Sequence, residues 1–89
     1  MNTDDDWPVR LSVAETDGQT RAEARLVMPD GDQLAGHGLA RRNPADREVA
    51  RIGAQLAAAR ALTDLAGQLL HAAAEAIEDS THEPAHLHL

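Results

Sequence analysis

Residues 49–79, VARIGAQLAAARALTDLAGQLLHAAAEAIED, decide the fold, because they form the longest segment with a single period. The segment contains no Pro, and good helix formers such as Ala, Leu, Gln and Arg dominate it. Its apolar residues recur at alternating spacings of three and four, which predicts one long helix from about Val49 to Asp79. Gly53 and Gly67 are its weak points, so the helix either breaks, most easily near Gly53, or extends beyond the elements that it covers.

Two apolar stripes on adjacent faces of this helix cover roughly 200° of its surface, about twice the width that packing on one sheet requires. The first stripe consists of Ile52, Leu56, Ala59, Thr63, Ala66, Leu70, Ala73 and Ile77. The second consists of Ala58, Leu62, Leu65, Leu69, Ala72 and Ala76. One stripe is sufficient to pack on a sheet, so the other predicts a second partner. We expect a homodimer with an interface formed by Leu62, Leu65 and Leu69. The alternative is a kinked helix whose extra face is covered by the segment around Trp7.

Before the helix, apolar residues alternate with polar ones, which predicts three β-strands. The inward residues are Val9, Leu11 and Val13, then Ala22, Ala24, Leu26 and Met28, then Leu34, Gly36, Gly38 and Ala40. Asp17-Gly18 and the run Pro29 to Asp32 predict tight turns between the strands. Gly36 and Gly38 on an inward face let a helix approach closely. The pattern predicts an α+β fold, in which a three-stranded antiparallel meander packs against one long or broken C-terminal helix.

The composition favours one small domain with a thin core. The chain has 89 residues, one Trp, no Phe, no Tyr and no Cys, so the core consists of small aliphatic side chains and disulfides are excluded. A thin core of this size favours association. We expect a flexible acidic segment over residues 1–7, a single domain over 8–84 and a His-rich tail over 85–89. The N-terminal residues do not resemble a signal peptide and no apolar run is long enough to span a bilayer, which predicts a cytoplasmic protein without membrane contact.

Three segments carry a family resemblance: LAGHGLARRNPAD (34–46), IGAQLAAARALTDLA (52–66) and IEDSTHEP (77–84). They resemble a family of small actinobacterial proteins that is known mainly as a domain of unknown function with a dsRBD-like fold. The resemblance extends from about Val9 to Leu87. It implies a three-stranded sheet packed against a helix, and it implies no activity and no site residues.

Arginines concentrate where the helix is expected to begin. Arg41, Arg42, Arg47 and Arg51 lie near a helix N-terminus, whose free N–H groups favour anions. Asp46 and Glu48 dilute this cluster, and the chain has a net charge of −7. A solvated loop with local ion pairs is therefore the favoured interpretation, and nucleic acid is not an expected partner.

The remaining polar residues predict no catalytic site. Asp64, His71 and Glu75 lie on one helix face, which we interpret as solvent-exposed and convex. At the C-terminus, His86 and His88 are weak candidates for metal ligands, but they lie in one short terminal segment whose alternation predicts an extended strand with exposed imidazoles. His82 is interpreted as a helix-terminating residue.

These observations predict a non-catalytic protein without a cofactor or a bound metal. We expect a protein-interaction or regulatory module that acts as a homodimer with an unknown protein partner. The alternative function is weak binding of nucleic acid or another anion by the arginine-rich loop at the start of the helix.

Overall fold

A computed structural model describes residues 5–41 and 50–88 of the chain. Strands β1 (Val9–Thr16), β2 (Gln19–Val27) and β3 (Gln33–Arg41) are followed by helix α1 (Ala50–Thr81). The strands form one antiparallel sheet in the order β1-β2-β3. The predicted α+β architecture is confirmed, and α1 runs through Gly53 and Gly67 as one helix of 32 residues.

Both turns form for the reasons that their sequences indicate. Thr16 pairs with Gln19, and the two residues between them have positive φ values of 51° at Asp17 and 76° at Gly18, as a type I′ hairpin requires. In the second turn, the N–H of Gly31 donates to the carbonyl of Met28 at 2.9 Å. Gly31 has a φ of 95°, a conformation that glycine adopts without a steric penalty.

The strand register defines an inner face of the sheet, which faces α1, and an outer face. Three rows of paired residues make up most of the inner face: Val13 with Ala22 and Gly38, Leu11 with Ala24 and Gly36, and Val9 with Leu26 and Leu34. The core consists of Ala22, Ala24, Leu26 and Ala40 from the sheet and Ala57, Ala61 and Leu65 from the helix. All seven are small or medium-sized aliphatic residues, so the core is as thin as the composition predicts.

The close approach of helix and sheet depends on two glycines of β3. A Cβ added at Gly36 would lie 2.5 Å from the backbone N of Leu65, and one added at Gly38 would lie 2.5 Å from the backbone N of Ala61. Neither site has room for a side chain unless the helix backbone moves away. The predicted role of these glycines is confirmed.

The helix surface that contacts the sheet differs from the expected one. The residues at the sheet are Gly53, Ala57, Ala61 and Leu65, which recur every fourth position. At about 100° per residue, the first apolar stripe is centred roughly 180° from Ala61 and therefore faces away from the sheet. The second stripe lies beside the core, and its member Leu65 is part of it. The prediction that one stripe remains uncovered is correct, but the uncovered stripe is the first one.

Helix α1 also extends beyond the sheet. Its 32 residues span about 48 Å, whereas strands of eight or nine residues span about 30 Å. It ends where His82 adopts a left-handed φ of 59° and its N–H donates to the carbonyl of Glu78 at 2.7 Å. The following segment turns back along the helix, and the N–H of Ala85 donates to the carboxylate of Glu78 at 3.0 Å.

Candidate interaction surfaces

Strand β1 is exposed along its whole length, although half of its side chains belong to the inner face. Val9, Leu11 and Val13 pair with core residues of β2, yet they remain 46%, 42% and 43% exposed. The reason is the position of α1, which lies over β2 and β3. A strip of apolar sheet surface is therefore left open beside the helix.

The helix contributes two further apolar surfaces: its outward stripe and the flank that lies next to the strip of β1. Ile52 and Leu56 of the outward stripe are 53% and 45% exposed. Leu62 is 42% exposed and lies on the helix flank nearest to β1, opposite the flank that contacts β3. Leu62 and β1 form an L-shaped apolar groove, which has the inner face of β1 as its floor and the helix flank as its wall, while Ile52 and Leu56 lie on the helix surface above it.

The other flank of α1 is polar, and it closes the outer edge of β3. The Arg60 guanidinium donates to the carbonyl of Leu39 at 2.6 Å, and the Gln68 amide donates to the carbonyl of Ala35 at 2.8 Å. Between them, the N–H of His37 donates to the Asp64 carboxylate at 2.8 Å. Asp64 is exposed, as the sequence predicts for its helix face, and together with Arg60 and Gln68 it occupies the backbone groups that a further strand would use.

The edge of β1 has no such cover from the helix. The N–H of Val27 donates to the carbonyl of Pro8 at 3.1 Å, which fixes the alternation of the ladder. Backbone groups of Val9, Leu11 and Val13 consequently point away from β2. Within residues 5–41 and 50–88, the sheet thus has one edge closed by helix side chains and one edge without such cover.

The outer face of the sheet collects positive charge. It carries Arg10, Arg21, Arg25, Arg41 and His37, with Glu23 as the acidic residue among them. Glu23 accepts hydrogen bonds from the His37 ring and from Arg25, both at 3.2 Å. These hydrogen bonds, that of His37 first, and the charge of Arg25 lower the pKa of the Glu23 carboxyl. The net charge of the chain, −7, therefore conceals a basic face.

The structure describes two of the four arginines that the sequence singled out for anion binding and both histidines that it considered for metal binding. Arg41 and Arg51 are both exposed, and Arg42 and Arg47 lie outside the described residues. His86 and His88 line an open cleft with His71, on which Ala85 and Leu87 of the tail also lie. Within residues 5–41 and 50–88, no group of three His, Asp or Glu side chains is arranged to hold a metal ion.

Of the three residues predicted for a dimer interface, only Leu62 is exposed, with 42% of its surface accessible. Leu69 is half-buried against the core, and Leu65 is 4% exposed and belongs to the core of a single chain. A charged residue at Leu65 would therefore disrupt the monomer itself. The pattern of the helix alone does not indicate the exposed inner face of β1, although the alternation of apolar and polar residues in β1 is visible in the sequence.

A meander with a single long helix on one face defines a small α+β fold. The model of the Rv2632c-like family matches residues 5–86, and the chain belongs to this family. The uncharacterized protein Rv2632c of Mycobacterium tuberculosis is 54% identical over 76 residues, which cover 85% of this chain and 81% of that protein. The uncharacterized protein Mb1767 of Mycobacterium bovis is 49% identical over 81 residues, covering 91% and 85%.

A solved structure agrees with the fold. The crystal structure of Rv2632c superimposes with a TM-score of 0.83 at 47% identity and covers 93% of this chain and 98% of that one. The resemblance to a small actinobacterial family of unknown function is confirmed. In the described part of the chain, no helix combines the length and the apolar character needed to span a membrane.

Proposed function

We propose that the chain is a non-catalytic protein-interaction module with a regulatory or accessory role, and that it acts as a homodimer. The observation that carries the proposal is the exposure of β1. Its inner face continues the core of the sheet, but the single helix is too narrow to cover it. A soluble domain rarely leaves apolar residues open in a contiguous strip unless another surface packs there.

The free energy available from this surface is of the order that association requires. Complete burial of a Val or Leu side chain contributes about 1.5–3 kcal/mol, so each half-exposed one retains about 1 kcal/mol. Six such side chains lie along the groove and the outward stripe of each copy: Val9, Leu11, Val13, Ile52, Leu56 and Leu62. A two-fold interface uses each of them twice. Their combined contribution is comparable with the cost of association, which is about 4–15 kcal/mol.

Light scattering coupled to size-exclusion chromatography tests the proposal. The wild-type chain should elute with about twice its mass of 9.5 kDa, and the Leu11→Asp variant should elute as a folded monomer. Leu39→Asp is the matched control, because Leu39 is 39% exposed, close to the 42% of Leu11, but lies on the outer face. It should remain dimeric. A wild-type monomer at high protein concentration would overturn the proposal.

A second candidate function is the binding of nucleic acid or another polyanion, and the basic outer face is the observation that favours it. Arginines on three neighbouring strands can contact phosphates without reading bases. Trp7, which precedes β1, is the one Phe, Tyr or Trp residue of the chain. Such binding weakens steeply with salt.

Fluorescence anisotropy with a short RNA duplex at low salt distinguishes the two basic regions. If the outer face binds, the Arg10→Ser/Arg21→Ser variant should lose affinity and Arg51→Ser should not. If the loop at the start of the helix binds, the effects should be reversed. A wild-type protein that does not bind at low salt would remove this candidate.

A further inference from the structure

We infer that two copies pack face to face, so that the helix of each copy lies in the groove above β1 of the other. The arrangement has a sheet, a layer of two helices and a second sheet. This inference rests on the homodimer proposed above and specifies its geometry. It uses both apolar surfaces that a single copy leaves uncovered, the inner face of β1 and the outward stripe of α1.

The groove has the dimensions of one helix. Helix α1 lies over β2 and β3, where the glycines of β3 hold it close to the sheet. Neighbouring strands are about 4.8 Å apart, and packed helices lie about 8–10 Å apart. A helix that contacts the flank of α1 at this distance would therefore lie directly above β1.

The helix surfaces match the two walls of that space. In the groove of the partner, the outward stripe with Ile52 and Leu56 would contact the inner face of β1, which carries Leu11 and Val13. At the same time, the flank with Leu62 would contact the helix flank of the other copy. The outward stripe of each copy therefore meets β1 of the other copy, and the two Leu62 flanks meet each other, as a two-fold interface requires.

Over the three apolar rows of the sheet, no charged side chain needs to be buried in this arrangement; Glu15 of the inner face lies in the next row, with Thr20, and Arg51 lies at the start of the helix. Between residues 52 and 66 the charged residues of α1 are Arg60 and Asp64, and both face the β3 edge, where they bind backbone groups. Thr63 is the polar member of the outward stripe in this range. Its hydroxyl donates to the carbonyl of Ala59 at 2.8 Å, so its hydrogen bond is made within the helix.

The open edge of β1 suggests a competing arrangement, in which two β1 strands pair into a six-stranded sheet. Each helix would then stay above its own β2 and β3, and the two helix axes would lie roughly 19 Å apart. The outward stripes would remain uncovered, and so would most of the inner face of β1. The face-to-face arrangement accounts for these exposed residues, and edge pairing does not.

Symmetry separates the two arrangements sharply. In the face-to-face dimer the two-fold axis runs along the helices, so the helices are parallel and identical residues meet, including Leu62 with its counterpart. Antiparallel pairing of β1 with its copy makes the helices antiparallel instead. Their ends beyond the sheet would then point in opposite directions, with the two copies of Ser80 roughly 60 Å apart.

Single-cysteine variants test the inference, because the chain contains no Cys. Under mild oxidation, Leu62→Cys should form a disulfide-linked dimer, whereas Leu11→Cys should stay uncrosslinked, as should the outer-face control Leu39→Cys. A crosslink in Leu11→Cys without one in Leu62→Cys would overturn the inference in favour of edge pairing. The mass measured by light scattering would then still support the homodimer, so failure of the face-to-face arrangement can be distinguished from failure of the proposed homodimer.

A spin label at Ser80→Cys provides a second measurement at an exposed site outside the groove. Double electron–electron resonance on the labelled dimer should give a separation within roughly 25 Å, because the parallel helices lie side by side. A separation near 60 Å would overturn the inference. A chain that is monomeric by light scattering would overturn both the inference and the proposed function.

Discussion

The carboxylate of Asp64 accepts the backbone N–H of His37 at 2.8 Å and so joins the helix to the outer edge of β3. The two residues are 27 positions apart in the sequence. Arg60 and Gln68, one helical turn to either side, bind the carbonyls of Leu39 and Ala35. Three side chains at a spacing of four thus substitute for a neighbouring strand along that edge.

Removal of the hydrogen bond between Asp64 and His37 should lower the free energy of unfolding and expose the outer edge of β3. Asp64→Ala leaves the His37 N–H without its charged acceptor, and because the site is exposed we expect a loss of about 1 kcal/mol. Urea denaturation measures the change. Glu75→Ala is the matched control on the same flank, because Glu75 contacts His71 of the helix at 3.0 Å. An equal loss in both variants would show that the flank contributes by charge alone.

The close approach of helix and sheet leads to a second prediction, which concerns the effect on stability of replacing two glycines. Gly38→Ala places a Cβ against the helix backbone, and the required shift should cost about 3 kcal/mol. Gly67→Ala has nothing within 4 Å of the added Cβ and lies inside the helix. It should stabilise the protein by about 0.5–1 kcal/mol, because alanine loses less backbone entropy. Thermal denaturation of both variants checks the opposite signs, and two changes of the same sign would contradict the packing argument.

Much of the fold could be predicted because its determinants are local. Asp17-Gly18 specifies a hairpin, and the inward glycines of β3 indicated a close helix. The face of the helix that meets the sheet could not be predicted by hydrophobicity, because Ala57 and Ala61 are no more apolar than Ala59 or Ala66. The choice depends on the size of the neighbouring residues on each face, since Gly53, Ala57 and Ala61 form a row of small residues that packs close to the sheet, whereas the face of Ala59 and Ala66 also carries Ile52 and Leu56. The larger Ile52 and Leu56 are therefore turned outward.

The interaction surfaces were harder to predict because they depend on tertiary placement. The exposure of β1 follows from the lateral position of the helix, which no single segment encodes. The basic outer face requires the register that places Arg10 beside Arg25 and Gln19 beside Arg41. Net charge, a property of the whole chain, does not show this segregation.

The third prediction concerns the backbone conformation of His82, at the end of the helix. His82 has a φ of 59°, in the left-handed region that costs a side chain about 1 kcal/mol relative to glycine. His82→Gly should therefore raise the free energy of unfolding by about 0.5–1 kcal/mol, measured by urea denaturation. His86→Gly is the control, because His86 is exposed in the tail and has no left-handed φ. Destabilisation by His82→Gly would show that the imidazole makes a contact that outweighs the backbone strain.

The fourth prediction concerns pH and the cluster around Glu23. Hydrogen bonds from His37 and Arg25 lower the pKa of the Glu23 carboxyl in the folded chain, so the unfolded chain binds a proton at this residue more readily. The stabilisation by Glu23 is then fully present above the ordinary pKa of Glu, about 4.3, and is lost as the pH falls through the lower folded value.

Carboxyl NMR titration measures this pKa directly. His37→Ala and Arg25→Ala should each move this pKa toward the ordinary value, because each removes a hydrogen bond that lowers it. In urea denaturation, Glu23→Gln should be less stable than wild type near neutral pH, and the difference should shrink in acid. A difference that grows as the pH falls would contradict the sign of the linkage.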